Sequence, residues 1–132
     1  MRAVIDTNVL VSGIFNPHGP PGRIVDVILS ETITVLYDDR ILSEYREVLM
    51  RPMFGFQLTD VETILDFIEA AGEHITAKEV DLILPDPTDL PFLEVAMAGV
   101  ADALVTGNLK HFKPRHQKVS VCTCAKLLRR IS

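Results

Sequence analysis

Apolar residues along this chain alternate between two rhythms. Ala3-Val4-Ile5, Ile33-Thr34-Val35-Leu36, His74-Ile75-Thr76, Ala103-Leu104-Val105 and Val119-Ser120-Val121 are short runs rich in β-branched residues, and they read as five strands. Between them apolar residues recur every three or four positions, the spacing of a helix with one buried face. One such helix opens at Pro20 or Pro21 and runs to about Ser30, with Ile24, Val27 and Ile28 inward. A second spans about Asp39 to Met50 on Ile41, Leu42, Tyr45, Val48 and Leu49, and Arg51-Pro52 stops it. A third opens with a capping box from Thr59 to Glu62, continues through Val61, Ile64, Leu65, Ile68 and Ala71, and ends at Gly72. A fourth covers about Asp89 to Gly99, with Leu93, Ala96, Met97 and Val100 inward, and the last runs from Ala125 to about Ile131. Ser12 to Gly22 reads as a loop rich in Gly and Pro, and residues 77–88 as another. Phe92 and Val95 fall on the outward side of the fourth helix, at a dimer contact or under another element. Phe54, Phe56 and Phe67 belong to the core or to a partner surface.

Strands that alternate with helices predict a parallel sheet covered on both faces, an α/β fold, although the pattern leaves the strand order open. A length of 132 residues suits a single domain over 1–132. Hydrophobic content of 48% with 6% aromatic predicts an aliphatic core. No apolar run approaches the roughly 18 residues that span a bilayer, so no membrane segment is expected. Asp6 and Asn8 stand where the apolar part of a signal peptide would lie. Cys122 and Cys124, the only cysteines, are two apart at a strand end and unsuited to a mutual disulfide or a zinc site, which fits the reduced cytoplasm.

Charge adds an asymmetry. All 18 acidic residues precede residue 103, whereas Lys110, Lys113, Arg115, Lys118, Lys126, Arg129 and Arg130 follow it. A basic end on an acidic body suggests a polyanionic partner, or simply an electrostatic offset. Lys110, His111, Lys113 and Arg115, with His116 and Lys118 near them, are the candidates for phosphate contact; Phe112 is the one aromatic among them, so base stacking on an aromatic platform is not expected. His18 reads as a solvated loop residue and His74 as structural.

In an open α/β sheet the segments that follow the strands meet at one edge, where ligands bind. Asp6 ends the first strand. Glu44 follows the second, roughly 100° around its helix from the centre of the apolar face, whereas Glu47 points to solvent. Asp89 opens the helix after the third strand, with Asp86 three residues ahead of it, and Thr106-Gly107-Asn108 ends the fourth. Taken singly, Asp6 and Asp89 also suit helix caps and Glu44 a solvated rim. Taken together they form a negative pocket that a hard divalent cation such as Mg²⁺ or Mn²⁺ would neutralise.

Val4-Ile5-Asp6-Thr7-Asn8-Val9-Leu10, Leu42-Ser43-Glu44-Tyr45-Arg46-Glu47-Val48-Leu49, Asp86-Pro87-Thr88-Asp89 and Ala101-Asp102-Ala103-Leu104-Val105-Thr106-Gly107-Asn108 occur in that order. The ordered set resembles the PIN-domain family, and within it the VapC-like toxin components of toxin–antitoxin pairs. The resemblance implies a three-layer α/β/α fold with a central parallel sheet of about five strands. It implies a Mg²⁺- or Mn²⁺-dependent endoribonuclease, often a homodimer, silenced by an antitoxin protein. Carried over position by position, Asp6, Glu44 and Asp89 match the metal-binding acids, Thr7, Asn8 and Thr106 the small polar residues around them, and Asp86 an extra acid. The sequence departs from the pattern at Asn108, where a fourth carboxylate is common, and His111 supplies none nearby. An amide there coordinates without adding charge, so one well-held ion and weakened activity are implied. Asp102 precedes the fourth strand and belongs at the opposite edge.

Two rival readings follow from the same residues. A PIN-like module that binds RNA or protein without cutting is favoured by Asn108. A phosphotransfer enzyme with Asp after its first strand needs a second early carboxylate, and Asn8 stands in that place. No Gly-rich phosphate loop is present.

Overall fold

The computed structural model describes residues 1–112 and 119–132. Five parallel strands, β1 (Arg2–Ile5), β2 (Thr34–Tyr37), β3 (Glu73–His74), β4 (Ala103–Val105) and β5 (Val121–Cys122), form one sheet in the order β3-β2-β1-β4-β5. The described helices are α1 (Thr7–Phe15), α2 (Pro20–Leu29), α3 (Asp39–Leu49), α4 (Leu58–Ala71), α5 (Leu90–Ala98) and α6 (Cys124–Ile131). They cover both faces of the sheet, giving the three-layer α/β/α architecture. Among the described residues no helix is long and apolar enough to cross a membrane.

β1 is central because it can be apolar on both faces: Ala3, Val4 and Ile5 are fully buried. Ala3 stands opposite Val35 on one side and Ala103 on the other. The chain builds outward from β1 through β2 to β3, then returns to β1's free side with β4 and β5. The carboxyl ends of β1 and β4 therefore flank the point where the winding reverses, the crevice in which such sheets bind ligands.

Several elements differ from the sequence expectation. The stretch after Asp6 is helical: α1 occupies part of the expected loop from Ser12 to Gly22. Thr7, Val9, Val11 and Gly13 are poor helix formers, but α1 is held by packing on α2. A Cβ on Gly13 would lie 2.7 Å from the Pro21 carbonyl oxygen and 2.8 Å from Val25 Cγ2, so glycine permits that approach. The capping box from Thr59 to Glu62 does not form, because the N-cap falls two residues earlier, at Gln57, which makes no side-chain cap. Thr59 instead accepts, through its carbonyl, a bond from Thr63 Oγ1 at 2.8 Å. β3 begins at Glu73 rather than His74, with Ile75 N extending the pairing to Tyr37 O at 2.8 Å. β5 is displaced toward Cys122, and Thr123 caps α6 by accepting from Lys126 N.

Helix α5 has no outward face at Phe92 and Val95. Both are buried, and Phe92 lies against Tyr45 of α3, ring centroids 6.4 Å apart. Val100 is the reverse: expected inside, it is 77% exposed. It follows α5 in the left-handed conformation, φ 50°. Ala101 N donates to Ala96 O and Val100 N to Met97 O, the paired bonds of a Schellman turn. Glycine would ordinarily occupy that position. Here the glycine is one residue earlier, at Gly99, where a Cβ would meet Leu36 Cδ2 at 2.6 Å.

Candidate active site

Asp6 emerges from the end of β1 with only 5% of its surface exposed. It occupies the N-cap position of α1, but its side chain makes no capping bond. Asp6 Oδ2 instead accepts from Thr106 Oγ1 at 2.7 Å, and the same hydroxyl accepts from Asn108 N at 3.1 Å. Thr106, fully buried beyond β4, thus ties the two strand ends together. Asp6 N reinforces the tie by donating to Val105 O at 2.9 Å. Asn8 Oδ1 accepts from Gly107 N at 3.3 Å on the adjoining rim.

Glu44 reaches the same place from α3. It is half-buried, and Thr7 Oγ1 donates to its Oε2. One residue on, the buried Tyr45 hydroxyl donates to Ile5 O. This bond pins α3 to the last residue of β1 and fixes where Glu44 stands. Glu47 points away and pairs with Arg51 at 2.8 Å. Asp102 lies at the other edge, as expected, its Oδ2 accepting from Arg2 N at 2.8 Å.

Asp89 is 8% exposed, at the junction of a short 3-10 turn (Pro87–Asp89) and α5. Asp86, not Asp89, caps that turn, its Oδ1 accepting from Thr88 N at 3.0 Å and Thr88 Oγ1 at 2.7 Å. Asp89 Oδ2 is buried without a hydrogen-bond partner. His111 Nδ1 comes within 3.3 Å of that oxygen but without hydrogen-bond geometry.

Asp6, Glu44, Asp86 and Asp89 line one open cleft of about 330 Å³, together with Thr7 and Asn8. Thr88, His111 and Phe54 line it too, beside Val11, Ser12 and Val48. Burial raises the pKa of Asp6, and the Thr106 hydrogen bond opposes the rise. Burial also raises Glu44, against the Thr7 bond and with help from Asp6 and Asp86. Asp89 is pushed up to about 6, by burial first and then by the charges of Asp6 and Asp86. Asp86, at the rim, is lowered by its bonds from Thr88. Three acids that discourage one another's ionisation, one with an orphaned oxygen, fit a cation held among them. As the side chains stand, no three of His, Cys, Asp and Glu among the described residues already enclose an ion. The cleft is therefore a set of donors around an open space rather than a closed cage.

Asn108 lies beside this cluster but turns its amide to local use: its Oδ1 accepts from Lys110 N at 3.3 Å, shaping the turn Leu109–Phe112. Lys110 is exposed on that turn. Lys113 and Arg115, with His116 and Lys118, lie outside the described residues. Sequence reasoning missed three contributors. Tyr45 looked like an ordinary core residue on the apolar face of α3, and nothing in the sequence marks its hydroxyl. Phe54 was assigned to the core or to a partner surface. Thr88 carried no signal except its place between Asp86 and Asp89.

A sequence model of the PIN domain matches residues 2–110. The uncharacterized protein MJ1680 of Methanocaldococcus jannaschii is 36% identical over 111 residues, covering 82% of this chain and 71% of that protein. A chain in the crystal structure of VapBC2 from Rickettsia felis, bound to a DNA fragment from their promoter, superposes with a TM-score of 0.59 at 21% identity. That match covers 93% of this chain and 98% of the other, a likeness of fold. A match over most of the length, and a relative similar across the same region, make this chain a member of the PIN-domain family.

Proposed function

We propose that this chain is a Mg²⁺- or Mn²⁺-dependent endoribonuclease, and that it is the toxin component of a toxin–antitoxin pair. The observation that carries the reading is the convergence of Asp6, Glu44 and Asp89 on one cleft, with Asp89 raised to about 6 by burial and its acidic neighbours. Family membership supports nuclease chemistry, and the likeness to VapBC2 supports an antitoxin partner. Asp6, Glu44 and Asp89 would hold the ion, which when bound activates water and stabilises charge on a phosphodiester. The chain's own residues prepare that site. Thr106 and Thr7 donate to Asp6 and Glu44, which favours their ionised forms and fixes their orientation. Asp86 stays ionised at the rim and adds negative potential. Lys110 and the basic residues Lys113 and Arg115 supply positive charge for the RNA backbone, and His111 a ring nitrogen for hydrogen bonding to it. Homodimer formation and a cytoplasmic setting complete the reading. Purified protein is expected to cut single-stranded RNA with Mn²⁺ present; cleavage that persists in EDTA and in Asp6→Asn defeats the reading.

A second reading rests on Asn108, whose amide is spent on Lys110 N rather than on the cleft. In it the chain binds RNA or a partner protein and cuts weakly or not at all. Asn108→Asp separates the two: a large gain in cleavage identifies a weakened natural site.

A further inference from the structure

The acidic cleft opens onto a feature of opposite character. Phe15 ends α1, and Phe54 and Phe56 flank Gly55 in the turn after α3. Their rings form one cluster. Phe54 and Phe56 lie nearly parallel, 11° apart with centroids at 5.4 Å, and Phe15 meets them edge-on at 84° and 74°. The cluster lies at the edge of the core: Phe56 packs against it and Phe54 is half-buried, whereas Phe15 is 63% exposed and Met53 beside Phe54 is 78% exposed. Gly55 holds φ at +63°, and a Cβ there would meet nothing within 4 Å, so the turn stands in solvent. Contiguous apolar surface of this kind marks a binding site. Phe54 also forms part of the wall of the carboxylate cleft, so rings and acids share one surface.

We propose that Phe15, Phe54 and Phe56 form a stacking platform for an unpaired nucleobase adjoining the phosphodiester in the cleft. The inference rests on the ribonuclease reading and names the residues that hold the base beside the cut. An occupant that spans both regions must carry a phosphate at one end and a flat apolar group at the other. A nucleotide has both in a single unit. A base inside a duplex has its faces covered by its neighbours, so only an unpaired one is free to lie on the rings. Stacking on aromatic rings tolerates any base, since every base has a π-face. The platform therefore holds a base with little regard to sequence.

The test uses a single-stranded oligoribonucleotide carrying 2-aminopurine, whose fluorescence falls on stacking, titrated with protein in Ca²⁺ in place of Mn²⁺, so that the carboxylates are neutralised and binding is read without the catalytic ion. The protein contains no Trp to interfere. Phe54→Leu and the double variant Phe15→Leu/Phe54→Leu keep apolar volume and remove the ring; Phe54→Tyr keeps it. Wild type and the tyrosine variant are expected to quench the probe. The leucine variants are expected to bind roughly 5- to 100-fold more weakly with the quench lost, and in Mn²⁺ the defect falls on KM rather than kcat. Unchanged affinity and unchanged quenching in the leucine variants overturn the platform. So does a leucine variant that binds RNA normally but converts a wild-type dimer to monomer by size-exclusion chromatography, which assigns the rings to a protein contact. Ring-dependent quenching by a wild type that never cuts RNA supports the platform and defeats the nuclease reading alone.

Discussion

Replacing Thr106 by Val keeps the shape of a fully buried side chain and deletes one hydroxyl. That hydroxyl donates to Asp6 Oδ2 at 2.7 Å and accepts from Asn108 N at 3.1 Å. A hydrogen bond to a charged group contributes about 1.5–3 kcal/mol, and the lost acceptor for Asn108 N about 1 kcal/mol more. The expected destabilisation near pH 8 is therefore about 3 kcal/mol. Its pH dependence is the sharper prediction. Burial already raises the Asp6 pKa, and the Thr106 bond opposes the rise. Without the bond the folded-state pKa climbs further above the unfolded value. Stability tied to a raised carboxyl is intact below the unfolded pKa and is lost as pH rises through the folded one. Thr106→Val should therefore cost more at pH 8 than at pH 4.5, because protonation of Asp6 on the acidic side weakens the bond that the variant lacks. Urea denaturation of both proteins in EDTA at the two pH values measures the difference. Equal costs at both, or a cost below about 0.5 kcal/mol, would refute the view that Thr106 holds a buried charge.

Three further outcomes are expected. Asp89→Asn should raise the Tm of metal-free protein at pH 8 and leave it nearly unchanged at pH 4.5, because a carboxyl raised to about 6 withdraws stability as pH rises through that value. Added Mn²⁺ should raise the wild-type Tm more than the variant's. Val100→Gly should stabilise by about 0.5–1 kcal/mol in urea denaturation, since relief of the left-handed strain outweighs the added freedom of the unfolded chain. Glu94→Ala removes the acceptor of Val80 N and the partner of Arg40; it should cost about 2–3 kcal/mol and speed limited proteolysis within residues 77–88.

The parts of the fold legible in the sequence were those with one unambiguous period. β4 is Ala103–Val105 as expected, because three apolar residues between Asp102 and Thr106 admit no other reading. α3 was equally plain from its apolar face. α1 was hidden because its β-branched residues and Gly13 argue against a helix, and only α2 makes that segment helical. Phe92 and Val95 look outward when α5 is imagined with one buried face, yet α3 covers the other. At the site, the acids were legible from topology alone: a carboxylate that follows a parallel strand is placed at one edge by the winding. What fixes their orientation was not. The hydroxyls of Thr106 and Tyr45 act across 100 and 40 residues of sequence, and no local pattern encodes such a partnership.

That separation of 100 residues between Asp6 and Thr106 has a bearing on synthesis. β1 leaves the ribosome first, but its neighbour β4 arrives only after more than three-quarters of the chain has been made. Until then Asp6 lacks its hydroxyl donor and the crevice lacks one wall. A growing chain therefore carries the acids early and assembles them late, so a chain cut short before β4 lacks the finished cleft.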